Sequence, residues 1–291
     1  MARSVDWDEL PAAVREAVER HTGPVAAATP GPEGMSTAVR LILDTAGGGV
    51  FIKGTRPQSS RLVREQLTLG AEVAPFVPSL SPPLLFRVQA DGWDITGWAA
   101  VPGRAADLTP GSADIPKVIA VLAELGTLAA PDVPGLWSIA EIWGRDVDDP
   151  RMLGGALVHT DPHGQNFIMD GDRTWLVDWG WAARGPAWVT AMRLALFLME
   201  AGWEPADAEH ALASVPAWAE APPSVITAHA ISSVPSWEQA VARQPDNERL
   251  RAWIGLVRAW ADHRDQTAGG TPLLTHGRAE GTPHHREKRK G

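Results

Sequence analysis

The chain has 291 residues, 44% apolar and 21% charged, which excludes disorder for the chain as a whole and allows one large domain or two lobes with separate cores. There is no cysteine, so disulfide frameworks, zinc–thiolate sites and thiol nucleophiles are excluded together. A formal net charge of −9 argues against a general nucleic-acid binder, and no run reaches the roughly 18 apolar residues of a membrane span.

The N-terminus lacks a charged-then-apolar signal pattern, so a cytoplasmic protein with no membrane partner is expected. An opening helix is expected over 11–21, with Val14 and Val18 on one face. Segments 25–29 and 37–43 read as strands, separated by Pro30-Gly31-Pro32-Glu33-Gly34-Met35-Ser36. Gly47-Gly48-Gly49 turns the chain into another strand, Val50-Phe51-Ile52-Lys53. Ser59 and Ser60 supply caps for a helix over 61–69, and strands follow at 84–89 and 93–98.

After Pro102-Gly103 the period becomes helical. Ile115, Val118, Ile119, Leu122, Leu125 and Leu128 mark a core-facing helix. Short strands return at 156–159, 167–169 and 175–177, the last two joined through Asp170-Gly171-Asp172. Beyond Pro186 the chain reads as helix to about residue 268, broken by Pro205, Pro216, Pro222, Pro223, Pro235 and Pro245. The expectation is an α+β fold of two lobes, 1–100 and 101–272, joined near 98–103, with a basic tail over 273–291 that reads as disordered.

Charge follows this division. Residues 1–100 carry 9 basic and 11 acidic side chains, a net of −2, and 101–272 carry 12 and 22, a net of −10. The tail is +3. Lysine occurs only at Lys53, Lys117, Lys288 and Lys290, so the one that ends an apolar strand carries unusual information.

The chemistry concentrates in His159-Thr160-Asp161-Pro162-His163-Gly164-Gln165-Asn166, followed by Asp178-Trp179-Gly180. Phosphoryl transfer from a nucleotide needs one carboxylate to receive the acceptor's proton. It also needs an amide and a second carboxylate to hold Mg²⁺ against the phosphates, since hard oxygen ligands suit that ion. Asp161, Asn166 five residues on, and Asp178 after a two-stranded excursion meet that requirement.

At these residues the chain resembles the aminoglycoside phosphotransferases and their small-molecule kinase relatives, which share a bilobal protein-kinase-like fold. That fold has a small N-lobe of β-sheet plus helix and a larger, mainly helical C-lobe. The resemblance makes Asp161 the catalytic base, Asn166 and Asp178 the magnesium ligands, and His159 and His163 the structural histidines of the loop. Thr160, Pro162 and Gln165 depart from the family pattern without removing a chemical group. It implies ATP as donor, with GTP an alternative, and a lysine held by a helix glutamate. Lys53 fits that lysine, and Glu65 fits the glutamate, with Glu72 as its rival. Ser36 falls in the expected nucleotide-covering loop, and the backbones of Ala99, Ala100 and Val101 fall where relatives bond the adenine edge.

The acceptor is expected to be a small molecule bound by the acidic C-terminal half. Glu200, Glu204, Asp207 and Glu209 form its densest helical run of acids, a pattern suited to cationic antibiotics. Eight tryptophans lie from Trp179 onward, after the catalytic loop, and spare indoles would suit a flatter, less charged acceptor. Trp253 and Trp260, seven apart, read as core. Antibiotic inactivation, a metabolic kinase for an amino alcohol, sugar or amino acid, and a catalytically silent nucleotide-binding module remain as readings. Oligomeric state is left open.

Overall fold

The computed structural model describes residues 4–32, 37–144, 149 and 151–267. Helix α1 (Ala12–Thr22) leads into a sheet of β1 (Val25–Pro30), β2 (Val39–Thr45) and β3 (Gly48–Thr55). After helix α2 (Arg61–Val73), strands β4 (Leu84–Ala90) and β5 (Trp93–Ala99) complete it in the order β1-β2-β3-β5-β4, every pair antiparallel. Alternation is the cause: Val39, Leu41 and Leu43 of β2 turn inward between outward neighbours. They pack with Val14 and Val18 of α1 and with Ile52, Phe86 and Ile95 as one core.

A second core fills the C-terminal half. Short β6 (Arg104–Ala105) leaves the connector, and α3 (Ile115–Leu125) and α4 (Ile139–Ile142) follow. Next come β7 (Ala156–His159), β8 (Phe167–Asp170), β9 (Arg173–Leu176) and β10 (Ala182–Gly185). Strand β7 pairs with β10, and β8 lies between β6 and β9. Helices α5 (Trp188–Glu200), α6 (Pro205–Leu212), α7 (Pro216–Ala219), α8 (Pro223–Arg243) and α9 (Glu248–Thr267) close the lobe. Most of α5 is buried, as expected of a helix apolar almost all round.

Three differences from the sequence expectation have physical reasons. Pro205, Pro216 and Pro223 each start a helix, where a missing N–H costs nothing, but Pro235 lies inside α8 instead of ending it. Packing of α8 along α9 outweighs the one lost hydrogen bond. Strands β6 and β10 are too short to show a period of two. The cores also do not divide where the chain does, because Leu69 and Val73 of α2, with Val77 and Leu80, belong to the second core. No helix among the described residues is long and apolar enough to cross a membrane. The expected tail over 273–291 lies outside the described residues.

Candidate active site between the lobes

Strand β7 delivers His159 to the mouth of the second lobe. Its ring is fully buried, and loss of hydration holds its pKa below the ordinary 6.5, so the imidazole is neutral. The hydrogen bonds fix the tautomer. Asp161 N–H donates to Nδ1 at 3.3 Å, so Nε2 carries the proton and donates to the Val177 carbonyl at 3.0 Å. Trp179 stands edge-on to this ring, with centroids 5.0 Å apart. His159 therefore staples the loop that carries Asp161 to the strand end that precedes Asp178.

The same loop is tied at every turn. The Thr160 hydroxyl donates to the Trp181 carbonyl at 2.7 Å, and Thr190 on α5 accepts from the His159 N–H at 3.0 Å. Asn166 donates Nδ2 to the Asp161 carbonyl at 2.7 Å, and its own carbonyl accepts from Val177 N–H at 2.9 Å. Gly164 is required by close approach, since a Cβ there would sit 2.6 Å from the Ala106 carbonyl.

His163 brings Nε2 to 3.5 Å from Asp161 Oδ2. Burial alone would raise the Asp161 pKa, but His163, His159 and Arg193 together hold it below the ordinary carboxylate value. The group is thus ionised at neutral pH. Asp178 sits in the left-handed region, φ 65° and ψ 58°, a conformation that costs a non-glycine residue energy and turns its carboxylate back toward the first lobe. Burial would raise this group too, and the Lys53 charge and hydrogen bond outweigh that to hold it low.

Lys53 projects from β3, which pairs it with Thr96 of β5, and its Nζ donates to Asp178 Oδ1 at 2.6 Å across the lobe interface. Its expected helix partner is a correction. Glu65 is 54% exposed and bonded to Arg61 at 2.6 Å, and Glu72 lies 3.9 Å from Arg87. The α2 residues that line the Lys53–Asp178 cleft are Val63, Leu67 and one polar side chain, Gln66, beside Thr37, Gly180 and Trp181. Gln66 Nε2 and Thr37 Oγ1 are buried there without partners among the described residues. Helix geometry explains the miss: one residue along a helix is a rotation of about 100°, and Gly180 N lies 3.6 Å from where a Cβ on Gly70 would stand, which sets the face α2 presents.

The remaining expected positions separate. Ser36 lies outside the described residues. The N–H groups of Ala99 and Ala100 are spent on the Pro83 and Gly49 carbonyls, at 2.9 and 3.0 Å, whereas the Val101 N–H has no partner among the described residues. Of the acceptor candidates, Trp179 is corrected to core: it is 2% exposed and its indole donates to the Leu176 carbonyl. Glu204 precedes α6 in an exposed position, and Glu209 is bound into the lobe by Trp260 and Arg264 at 2.6 and 2.5 Å. Glu200 ends α5, half-exposed and 4.0 Å from Arg249. Trp253 and Trp260 are core, at 7% and 1% exposure.

The donor set suits a hard divalent cation. Fixing Asn166 by its Nδ2 leaves the amide oxygen uncommitted, and Lys53 engages only Oδ1 of Asp178. Two protein oxygens completed by phosphate oxygens and water is the usual arrangement for Mg²⁺.

No protein-family model matches the chain, and no curated protein matches it by sequence. The fold is nevertheless shared with solved structures. Aminoglycoside phosphotransferase APH(4)-Ia, as a thermostable mutant in a ternary complex with AMP-PNP and hygromycin B, superposes at a TM-score of 0.58 with 13% identity, over 90% of this chain and 100% of that one. Choline kinase LicA from Streptococcus pneumoniae gives 0.57 with 14% identity, over 86% and 98%. A putative fructosamine-3-kinase from Haemophilus somnus 129PT gives 0.51 with 10% identity, over 87% and 96%.

Proposed function

We propose that this chain, built on the bilobal fold of those kinases, transfers the γ-phosphoryl group of ATP to a hydroxyl of a small molecule. The observation that carries the reading is the 2.6 Å bond between Lys53 and Asp178. It unites the strand-borne lysine of one lobe with the carboxylate that follows Asp161 and Asn166 in the other.

Asp161 orients the acceptor hydroxyl and takes its proton as the oxygen bonds to the γ-phosphorus and the bond to the β,γ-bridging oxygen breaks, with ADP leaving. A base whose pKa lies below the usual range suits this role, because little proton transfer is needed early in a loose phosphoryl-transfer transition state. Asn166 and Asp178 would hold Mg²⁺, which neutralises charge on the phosphate oxygens. Lys53, on the strand facing Asp178, would pair with the nucleotide phosphates. The Val101 N–H offers the adenine edge a donor, a backbone contact open equally to the purine of GTP.

Two outcomes for the cell follow from the acceptor. Inactivation of an antibiotic is supported by the hygromycin B bound in a structural neighbour. A metabolic role is favoured by the placement of charge, since Glu209 is committed within the lobe and Glu200 has a cation beside it. The test is ADP release from Mg·ATP over a panel of aminoglycoside, peptide and nucleoside antibiotics and amino alcohols. Transfer to at least one acceptor is expected, with Asp161→Asn lowering it about a thousandfold while nucleotide affinity stays within a fewfold. ADP release no faster than hydrolysis to water, for every acceptor, would favour a silent nucleotide-binding module.

A further inference from the structure

Arg193 on α5 has no bonded counter-ion among the described residues. Arg87 has Asp94 at 2.6 Å and Arg264 has Glu209 at 2.5 Å, but no carboxylate among the described residues lies within ion-pair distance of Arg193. Its Nε donates to the Thr160 carbonyl at 2.8 Å, one residue before the catalytic carboxylate. Its guanidinium carbon sits 5.5 Å from the Phe197 ring centroid and 5.1 Å from that of Trp253. The Nη groups have no partner among the described residues and are not buried orphans, so they open to the space around the loop.

Position locates that space. Phe197 also receives His163 edge-on, with centroids 5.7 Å apart, and His163 bonds Asp161. Asp161 and Glu200 both act on Arg193 through space. Arg193, Phe197 and Glu200, at i, i+4 and i+7 on α5, thus form one stripe leading away from the catalytic carboxylate. Desolvation pushes the guanidinium down to about 10, still charged at neutral pH.

We infer that Arg193 determines acceptor specificity by binding an oxyanion, a carboxylate or phosphate carried by the molecule whose hydroxyl meets Asp161. This rests on the phosphotransfer reading and narrows its acceptor class. A guanidinium tied at Nε to main chain and flanked by two rings cannot swing to solvent, so its free edge is pre-set for a two-pronged contact with an anion. Nearby carboxylates at unbonded distance only partly offset the cost of removing its charge from water, and a ligand anion would complete the pairing. The same charge repels a polycation, so acceptors with several ammonium groups near the reacting hydroxyl are disfavoured.

The test has two arms on the full chain. With Mg·ATP, kcat/KM is measured on matched probes: glycerate against glycerol, homoserine against its amide, and glucose 6-phosphate against glucose. The acid or phosphate member is expected to exceed its neutral partner about tenfold or more, and the two series show which oxyanion is preferred. Arg193→Gln, which retains a donor for the Thr160 carbonyl, should erase the preference, and Arg193→Lys should keep part of it. Equal or inverted preference in the unaltered chain, or a preference that survives Arg193→Gln, overturns the inference.

In the second arm malonate is titrated calorimetrically into the chain saturated with Mg·ADP, which occupies Lys53. Binding that Arg193→Gln or Arg193→Lys weakens tenfold or more supports the inference even if no probe is phosphorylated. Absent or equal binding overturns it. If Arg193→Gln fails to fold, with its thermal transition lost, the Arg193→Lys comparison decides. Failure of phosphotransfer itself shows separately, as no product from any acceptor in the first arm.

Discussion

At the scale of single residues, the site depends on protonation states imposed by burial. His159 has a folded pKa below the ordinary 6.5, so as pH falls past that value the unfolded chain binds more protons than the folded one. Stability is therefore full above about pH 6.5 and declines below it. The melting temperature should be flat from pH 7 to 8 and fall between pH 6.5 and 5, and His159→Gln should flatten that fall. Asp161 and Asp178, both lowered, act in a separate window below their ordinary 3.8: their contribution is present above it and lost as pH falls through the folded values. A decline confined to pH below 4 would mean that His159 is not the neutral staple. Lys53 was readable at this scale because lysine is so rare in the chain. Gln66 and Arg193 were not, because an amide and an arginine on helices leave no mark of which way they point.

Among elements, the contact that matters is α2 on the turn after Asp178. A Cβ on Gly180 would stand 3.0 Å from the Gln66 carbonyl and 3.2 Å from its Cβ. Gly180→Ala should cost about 1–3 kcal/mol by overpacking, read as a lower denaturation midpoint. It should also raise the KM for nucleotide more than Lys117→Ala, a distant surface change. Equal KM values in the two variants would show that α2 does not depend on this contact for its position. Long elements with strong periods were legible: α3 runs Ile115–Leu125, and Ser60 caps α2 by accepting from Val63 N–H. The two-residue β6, the four-residue β10 and the continuous α8 were not, since they are decided by neighbours rather than by local propensity.

In the molecule as a whole, Lys53 and Asp178 form a polar link between two cores that also meet through α2. Ligands that bind the folded chain should strengthen this union. Mg·ATP at about a hundred times its Kd adds about 2.7 kcal/mol, or a rise of about 5–10 °C in melting temperature for a chain of this size. Lys53→Ala should remove most of that rise at the same nucleotide concentration. An undiminished rise in differential scanning calorimetry would take Lys53 out of the nucleotide site. The charge of −10 over 101–272 has a second reading at this scale, because the acids that sequence grouped as Glu200 to Glu209 point in different directions once folded.

Sequence by itself determined the chemical inventory: the Asp161, Asn166 and Asp178 spacing, the lone strand lysine, and the order of sheet then helices. These are matters of residue type and short-range period, which the chain carries locally. Tertiary structure decided the pairings. Lys53 meets Asp178 and not Glu65, Trp179 is core, and Arg193 stands beside the Asp161 loop without a counter-ion among the described residues. The physical reason is that helix phase and long-range packing set which side chains share a cleft. A rotation of about 100° per residue exchanges a glutamate for a glutamine without altering the pattern that predicts the helix.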